Sequence, residues 1–194
     1  MADDTYASYA HLARYETAGR DYRITVRDVG SPTTIIAPHG GRIEPHTSDI
    51  ARDIAEDTFN YYGFEGIKPR DNGRLHLTSH RFDEPQGVDL VARSRIVVAV
   101  HACTGNGGNV YLGGLDTALI GALAGALTAG GVAVSRAHYR FQGSAPANIC
   151  NRGATGRGVQ LEITRDLRDD PEKRRLIAEA VRVCLAAIDA GLPA

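Results

Sequence analysis

Two runs of β-branched and apolar residues constrain the fold of this chain more than any other feature. Residues 33–38 (TTIIAP) and 95–100 (RIVVAV) are apolar on both faces, which is typical of strands buried inside a parallel sheet. Between them, residues 47–59 follow a helical pattern with Thr47 or Ser48 as the expected N-cap. Strands that alternate with helices predict an α/β fold with a mixed, largely parallel sheet sandwiched by helices.

Shorter patterns predict the remaining elements. We expect strands at residues 22–29, 74–78, 132–136 and 158–164, and a helix at 115–129. The last helix is the most clearly marked, because Pro171 occupies its first turn, Gly191 follows its end and its apolar residues form one stripe. Cys184 lies on that stripe, so we expect it in the core. A chain of 194 residues without repeats or linkers predicts a single domain over residues 1–194.

The charge balance excludes one class of partner. The chain has 22 basic and 23 acidic residues, a net charge of −1, which argues against nucleic-acid binding because that needs a basic field. Only Lys68 and Lys173 are lysine, so 20 of the basic residues are arginine. This excess has two interpretations: codon bias in a GC-rich genome, or arginines that bind carboxylates or phosphates through their planar guanidinium groups.

Neither the first residues nor the longest uncharged run indicates export or a membrane. The N-terminus has early acidic residues and lacks the apolar segment of a secretory signal. Gly130 and Gly131 interrupt the uncharged run between Asp116 and Arg136, which leaves a helix of about 14 residues, too short to span a bilayer. Three cysteines without CxxC spacing suit a reducing compartment, so we expect a cytoplasmic protein.

Polar clusters follow the two buried strands. His39 and His101 each occupy the first position after a strand, and the carboxyl ends of strands are where open α/β sheets bind ligands. Gly40 and Gly41 allow the next loop to fold back and place Glu44 beside His39. Two histidines and a carboxylate, with a fourth position for water, are the ligands of a hydrolytic zinc site. In the alternative interpretation, both histidines only hydrogen-bond buried carbonyl groups.

Glu162 lies within the strand predicted at residues 158–164. Its neighbours at 159, 161 and 163 are apolar and share one face, so Glu162 lies on the other face. In a sheet covered on both sides, a carboxylate there is costly unless it is paired or functional. Beside a zinc-bound water, it can act as general base and then as general acid. If the strand is at an edge, Glu162 is only a solvated side chain.

Three further groups are weaker candidates. His76 and His80 are either a metal-binding pair or an ordinary surface pair. Cys103 beside His101 has the residue types of a nucleophile and its base, although no third group is evident. The glycine-rich segment Gly105 to Gly108 invites comparison with a phosphate loop, but it lacks the lysine and the glycine spacing of the known motifs. It nevertheless defines an alternative function, a non-catalytic nucleotide- or anion-binding module.

Several sequence blocks together resemble the poly-γ-glutamate hydrolase family of bacteria and their phages. The resemblance extends from about Tyr22 to Arg168, with the blocks in the order of the family. These blocks are APHGGRIEPHTSDIA, LHLTSHRFDEP, VVAVHACTG, LGGLD, NICNRG and GVQLEITRDLR. The resemblance implies a zinc-dependent hydrolase of γ-glutamyl amide bonds with an α/β fold like that of zinc carboxypeptidases. A zinc amidohydrolase or peptidase of other specificity is the nearest alternative.

Specific residues follow from this resemblance. The zinc ligands of the family fall on His39, Glu44 and His101, and its catalytic glutamate falls on Glu162. Asn151 and Arg152 resemble the carboxylate clamp of zinc carboxypeptidases, although their order in the chain relative to the second histidine differs.

Substrate contacts are expected from arginines near the rim of the site. The candidates are Arg42, Arg81, Arg152, Arg157 and Arg168, which would hold the free α-carboxylates of a γ-glutamyl polymer or peptide. The sequence leaves the natural polymer, the endo or exo mode, the oligomeric state and release by lysis open.

Overall fold

A seven-stranded sheet organises the chain, and the computed structural model describes residues 4–105, 107–136 and 142–191. The strands are β1 (Tyr22–Arg27), β2 (Thr33–Gly41), β3 (Asn60–Gly66), β4 (Ile96–Ala102), β5 (Asn109–Gly114), β6 (Ala133–Arg136) and β7 (Val159–Ile163). Their order across the sheet is β1-β3-β2-β4-β7-β5-β6. The four central strands β3, β2, β4 and β7 are parallel, whereas β1 is antiparallel to β3, β5 is antiparallel to β7, and β6 is parallel to β5. The predicted α/β class with a mixed, largely parallel sheet is therefore confirmed.

Helices cover both faces of this sheet. They are α1 (Tyr9–Leu12), α2 (Thr47–Ala55), α3 (Pro85–Ala92), α4 (Thr117–Ala129), α5 (Arg165–Asp169) and α6 (Pro171–Asp189). On one face, α2, α4 and α6 bury a core with alternate strand residues such as Val98 and Leu161. On the other face, Leu77, Phe82 and α3 pack against the intervening strand residues, among them Ala99. No helix in the described part of the chain is long and apolar enough to span a membrane.

The last helix was predicted within two residues of its observed bounds. Asp170 caps its first turn by accepting hydrogen bonds from the backbone N–H groups of Glu172 (2.8 Å) and Lys173 (3.2 Å). Gly191 follows the helix with a φ of 72°, a left-handed conformation that glycine adopts without a steric cost. Cys184 is buried in the core, as predicted.

The strand predicted at residues 74–78 is wrong. Residues Asn72–Leu75 form a 3₁₀ turn, and the segment that follows does not pair with a strand. Leu75 and Leu77 are both fully buried, which explains the strand-like alternation. The backbone here bonds to side chains instead: Leu77 O accepts from His39, and Thr78 N donates to Asp4.

Helix α2 also differs from its prediction. It begins at Thr47 and ends at Ala55, four residues before the predicted end. Neither predicted N-cap residue has that position, which belongs to His46 in a left-handed conformation with φ 72°. The Thr47 hydroxyl donates to Glu44 O at 2.8 Å, so it braces the preceding turn.

Strand β3 (NYYGFEG) has no sequence pattern that identifies it, although all seven residues are buried. Its apolar run is interrupted by Asn60, Gly63 and Glu65. Asn60 donates to Ser31 O at 2.7 Å, and Glu65 bonds to Arg23 at 2.9 Å, so partners distant in sequence satisfy these polar groups.

Candidate metal centre

The end of β2 brings the first two candidate ligands together. His39 lies on β2, and the chain then turns at Gly41, where φ is 64° and an added Cβ would lie 2.5 Å from Gly66 O. The turn is closed by a hydrogen bond from Glu44 N to His39 O at 2.9 Å. As a result, the carboxylate Oε1 of Glu44 lies 3.1 Å from His39 Nδ1.

The neighbouring strand supplies the third ligand. His101 lies near the carboxyl end of β4, and its Nδ1 lies 3.2 Å from His39 Nδ1 and 3.6 Å from Glu44 Oε2. One ligand atom from each of the three residues lies within 4.8 Å of the other two. The structure therefore brings together the three side chains that the sequence selected.

Outer hydrogen bonds orient these ligands. His39 Nε2 donates to the carbonyl oxygen of Leu77 at 2.8 Å, so a neutral His39 has a lone pair on Nδ1. That lone pair faces the Glu44 carboxylate and His101 Nδ1. Glu44 Oε2 accepts a hydrogen bond from Ala102 N at 3.0 Å, which fixes the carboxylate. A histidine that donates its second N–H to a backbone carbonyl is the usual arrangement of metal-binding histidines.

The donor set fits a tetrahedral metal ion. Ligand atoms placed about 2.1 Å from zinc at tetrahedral angles lie about 3.4 Å from one another. The two Nδ1 atoms lie 3.2 Å apart, and each lies 3.1 to 3.6 Å from one oxygen of the Glu44 carboxylate, Oε1 for His39 and Oε2 for His101. An Nδ1 lone pair that faces a carboxylate also requires a cation between the two groups, either a proton or a metal ion. The three residues therefore fit a metal such as zinc.

The electrostatics of the cluster support the same conclusion. Burial opposes ionisation of Glu44, but the neighbouring His39 and His101 outweigh it and place the pKa of this carboxyl far below its ordinary value. Burial also opposes a charge on His101, yet the hydrogen bond and charge of Glu44 raise the pKa of its imidazole. The cluster thus favours a carboxylate together with positive charge.

Glu162 lies next to this cluster on a central strand. Strand β7 is flanked by β4 and β5, so the edge-strand alternative is excluded, and Glu162 is in register with His101. Its Oε1 accepts a hydrogen bond from Gln160 Nε2 at 3.2 Å, and the amide oxygen of Gln160 accepts one from Asn148 at 2.9 Å. Burial, opposed by His101, raises the pKa of Glu162 to about 7.

A cleft of about 360 Å³ is lined in part by His39, Glu44, His101 and Glu162. Beyond them, its described lining is polar but carries neither arginine nor lysine. It consists of His76, Thr78, Ser79, His80, Ala102, Gln142, Gly143, Ser144, Ala145, Asn148 and Gln160. The hydroxyl, amide and imidazole groups of this wall are therefore the described side-chain groups that could hydrogen-bond to a substrate in the cleft.

The structure places three of the predicted substrate-binding arginines on the outer surface. Arg42 is exposed and donates to Lys68 O at 3.0 Å. Arg157 pairs with Asp116 at 3.4 Å. Arg81 is exposed and directly follows His80, so it is the one closest to the cleft in the chain.

Arg168, Arg152 and Asn151 have structural contacts instead. Arg168 is buried and donates to Ile163 O at 3.0 Å and Pro45 O at 2.6 Å. Arg152 donates to Phe82 O, and its Nε is buried without a hydrogen-bond partner among the described residues.

Asn151 is buried, and its side chain bonds only to backbone groups. Its Oδ1 accepts from Leu115 N and Gly158 N, and its Nδ2 donates to Gly143 O and Ala145 O. These four bonds occupy the ordinary hydrogen-bonding capacity of an asparagine. Asn151 thus anchors the backbone of the cleft wall and has no group left for a carboxylate.

The structure argues against the weaker candidates. His76 bonds to Asp4, whereas His80 is exposed, and these two do not form a metal cluster among the described residues. Cys103 is buried, and burial together with the charge of Glu162 raises the pKa of its thiol to about 11. A thiol of that pKa is a poor nucleophile at neutral pH.

The glycine-rich segment Gly105 to Gly108 does not have the geometry of a phosphate loop. It leads into strand β5, not into a helix as such a loop requires. In addition, the N–H of Gly108 already donates to Asp166 Oδ2 at 2.8 Å, a carboxylate that would repel an anion. Asn106 lies outside the described residues.

Sequence reasoning missed the groups that orient the site. These are the Leu77 carbonyl and the side chains of Ser79, Gln160 and Asn148. The alternation of β7 provides a signal for Gln160, because it places this residue on the same strand face as Glu162. The contacts of Leu77 and Ser79 arise from an irregular segment, so no periodic pattern identifies them.

The chain matches a known protein family over most of its length. Residues 6–178 match the family model described as poly-gamma-glutamate hydrolase. The chain is 37% identical over 169 residues to YmaC of Bacillus subtilis (strain 168), which covers 86% of this chain and 71% of YmaC. It spans 61% to 71% of the length of the curated relatives that it matches.

Two solved structures are similar over nearly the whole chain. A bacteriophage poly-gamma-glutamate hydrolase superposes with a TM-score of 0.92 at 32% identity, covering 97% of this chain and 99% of that chain. A zinc-free apo form of YndL, a Bacillus subtilis protein, gives a TM-score of 0.89 at 27% identity and covers 95% and 98%. The family model and these relatives show that the chain belongs to the poly-γ-glutamate hydrolase family.

Proposed function

We propose that this chain hydrolyses γ-glutamyl amide bonds in poly-γ-glutamate or related γ-linked peptides, and that it does so with zinc. The observation that carries the proposal is the convergence of His39, Glu44 and His101 within 4.8 Å, where all three line a cleft. Membership of the poly-γ-glutamate hydrolase family supports the bond type. Zinc is favoured over calcium or magnesium because two of the three donors are imidazole nitrogens.

The ligands are Nδ1 of both histidines and a carboxylate oxygen of Glu44. A zinc ion held by these residues would supply the positive charge that polarises the scissile carbonyl group and would make water acidic enough to react near neutral pH. Leu77 O and Ala102 N hold the first histidine and the carboxylate in place before substrate arrives.

Glu162 moves the proton. Gln160 donates to its Oε1, so we assign proton transfer to Oε2. The carboxylate takes a proton from the attacking water as the C–O bond forms, and the carbon–nitrogen bond then breaks. Glu162 passes this proton to the leaving α-amino nitrogen, which regenerates the carboxylate and leaves one acid and one amine as products.

The cleft wall binds the rest of the substrate. Ser79, Ser144 and Asn148 line the cleft and offer neutral donors to the α-carboxylates next to the scissile bond. Neutral donors bind a carboxylate without the repulsion that nearby acidic groups would cause, although each bond contributes only about 1 kcal/mol. Arg81 is the predicted arginine best placed to meet the carboxylate of a more distant unit.

The test begins with metal removal. The full-length protein is treated with a chelator and assayed for release of γ-glutamyl peptides from poly-γ-glutamate, before and after Zn²⁺ is restored. We expect activity to disappear and return. α-Linked polyglutamate serves as the control for bond type. Full activity after metal removal would contradict the zinc proposal, and equal cleavage of both polymers would favour a peptidase of other specificity.

A matched pair of histidine variants locates the metal. His101→Ala removes one proposed ligand, so we expect loss of bound zinc and of activity. His46→Ala removes an imidazole that pairs with Asp49 at 3.1 Å on the surface, so zinc content and activity are expected to stay near those of the wild type. Equal zinc content in His101→Ala and the wild type would overturn the assignment of the ligand.

A further inference from the structure

Residues 76–79 touch both histidines of the proposed metal centre. The Leu77 carbonyl accepts from His39 Nε2 at 2.8 Å, and Ser79 Oγ lies 3.4 Å from His101 Nε2. The ring of His76 packs on the ring of His39, with 4.0 Å between the centroids. This short segment thus contacts the side of each imidazole that faces away from the cluster.

The segment itself has no strand partner to hold it. Its backbone is fixed by individual hydrogen bonds and by the fully buried side chain of Leu77, because no ladder of repeated bonds supports it. Ile149 N donates to Ser79 O at 2.9 Å and holds one end. The other end is held by a residue more than 70 positions away, near the N-terminus.

That residue is Asp4, whose carboxylate makes three hydrogen bonds to the segment. Oδ2 accepts from Thr78 N at 2.8 Å, and Oδ1 accepts from Thr78 Oγ1 and His76 Nδ1, both at 2.9 Å. The Asp4 side chain is only 1% exposed. Burial raises the pKa of this carboxyl, but the hydrogen bonds from Thr78 and His76 outweigh it and leave the pKa below its ordinary value. Asp4 is therefore a buried carboxylate dedicated to these residues.

We infer that Asp4 is a positioning residue for the metal centre, acting through residues 76–79 on the imidazoles of His39 and His101. The inference rests on the proposed function only in requiring that the centre binds a metal. Groups that orient metal-binding histidines typically change metal affinity by about 10- to 100-fold when they are removed. Asp4 does not contact the two metal-binding histidines itself and acts on them only through residues 76–79. We therefore expect an effect near the lower end of that range.

The experiment measures Zn²⁺ affinity directly. Metal-stripped full-length protein competes with a chromophoric chelator for Zn²⁺, as wild type, Asp4→Ala and Asp83→Ala. Asp83 is the matched control, because its Oδ1 accepts from Tyr9 N at 2.6 Å and so holds the same N-terminal region without touching residues 76–79. We expect Asp4→Ala to bind Zn²⁺ about 10-fold more weakly and Asp83→Ala to stay within twofold of wild type.

Thermal unfolding of the metal-free variants separates positioning from general stability. We expect Asp4→Ala to unfold at a lower temperature than Asp83→Ala, because it loses three hydrogen bonds to a buried carboxylate and Asp83→Ala loses one, so Zn²⁺ affinity is measured well below both unfolding transitions. If Asp4→Ala does not fold, Asp4→Asn replaces it, because the amide keeps the size of the carboxylate but cannot accept all three bonds; we expect about threefold weaker binding.

Wild-type affinity in Asp4→Ala, or an equal loss in Asp83→Ala, would overturn the inference. If the wild type binds Zn²⁺ no better than His101→Ala does, that result contradicts the proposed metal centre itself, and with it the inferred role of Asp4.

Discussion

The two faces of the sheet are built by alternate residues of the same strands but have different contents. Towards α2, α4 and α6, strands β4 and β7 present Val98, Val100, Leu161 and Ile163, all fully buried. Towards the cleft, near the same strand ends, they present polar side chains. These side chains are His101, Gln160 and Glu162, and they are also buried.

This difference separates what stabilises the fold from what the site requires. On the face that packs against α2, α4 and α6, burial of apolar side chains stabilises the fold by about 25 cal/mol per Å² and needs no specific partner. Each polar group on the cleft face loses its hydration, so it must find a hydrogen-bond partner to avoid a penalty. The partners exist: Gln160 bonds to Asn148 and Glu162, and Glu44 bonds to Ala102. The strand ends that line the cleft therefore provide less stability and more chemical specificity.

The largest expected effect is on the cleft face. Glu162→Gln keeps the shape of the side chain but removes its ability to take a proton, so we expect activity on poly-γ-glutamate to fall about 1,000-fold. Zn²⁺ affinity should change little, because Glu162 is not one of the three proposed ligands. Glu44→Gln is the contrasting variant, with loss of both activity and zinc. Near-normal activity in Glu162→Gln would contradict the general-base role.

The second-largest expected effect is on the face of the sheet that packs against α2, α4 and α6. Leu161→Ala leaves a cavity among α2, α4 and α6, so we expect the free energy of unfolding to fall by about 3 kcal/mol. Leu161 points away from the cleft, so kcat of the folded protein should remain within about twofold. Urea unfolding and steady-state assays below the unfolding transition check the two parts. A large loss of kcat without loss of stability would contradict this separation of the faces.

A smaller effect is expected from Gln160, which holds the proposed base. Gln160→Leu removes the donor to Glu162 Oε1, and we expect kcat to fall about 10-fold while KM changes less than twofold. The loss of one hydrogen bond of roughly 1.4 kcal/mol corresponds to that factor. The exposed Gln86 on α3 provides the control substitution Gln86→Leu. If KM rises and kcat is unchanged, Gln160 binds substrate and does not position Glu162.

The elements and residues that follow a periodic pattern were predictable from sequence. The buried runs that became β2 and β4, the amphipathic α6, and Glu162 opposite the apolar residues of β7 all repeat at the spacing of their structure. His39, Glu44 and His101 were predictable because strand ends and a glycine turn place them at one edge of the sheet. For these residues, the local sequence pattern and the position in the folded structure agree.

The residues that were not predictable depend on contacts between distant parts of the chain. Asn60 and Glu65 made β3 look unlike a buried strand, because Ser31 and Arg23 satisfy them from elsewhere. The alternation of apolar residues predicted a strand that includes Leu77. Its carbonyl group instead accepts a hydrogen bond from the side chain of His39. The arginines were expected at the rim from the composition and from the polyanionic substrate that the family resemblance implies, and neither specifies where a side chain lies.

The smallest expected effect concerns these arginines and tests whether the cleft binds its substrate through neutral groups. Arg42 was predicted to hold a substrate carboxylate, but its guanidinium donates to Lys68 O on the exposed side of the turn. We therefore expect Arg42→Ala to change KM for poly-γ-glutamate by less than twofold, with kcat unchanged. Arg81→Ala, beside the cleft residue His80, should raise KM more than Arg42→Ala does. A 10-fold rise of KM in Arg42→Ala would show that its side chain leaves Lys68 to bind substrate. In that case the neutral groups of the cleft wall would not be sufficient to bind the substrate. Positively charged side chains at the rim would then hold the polyanion.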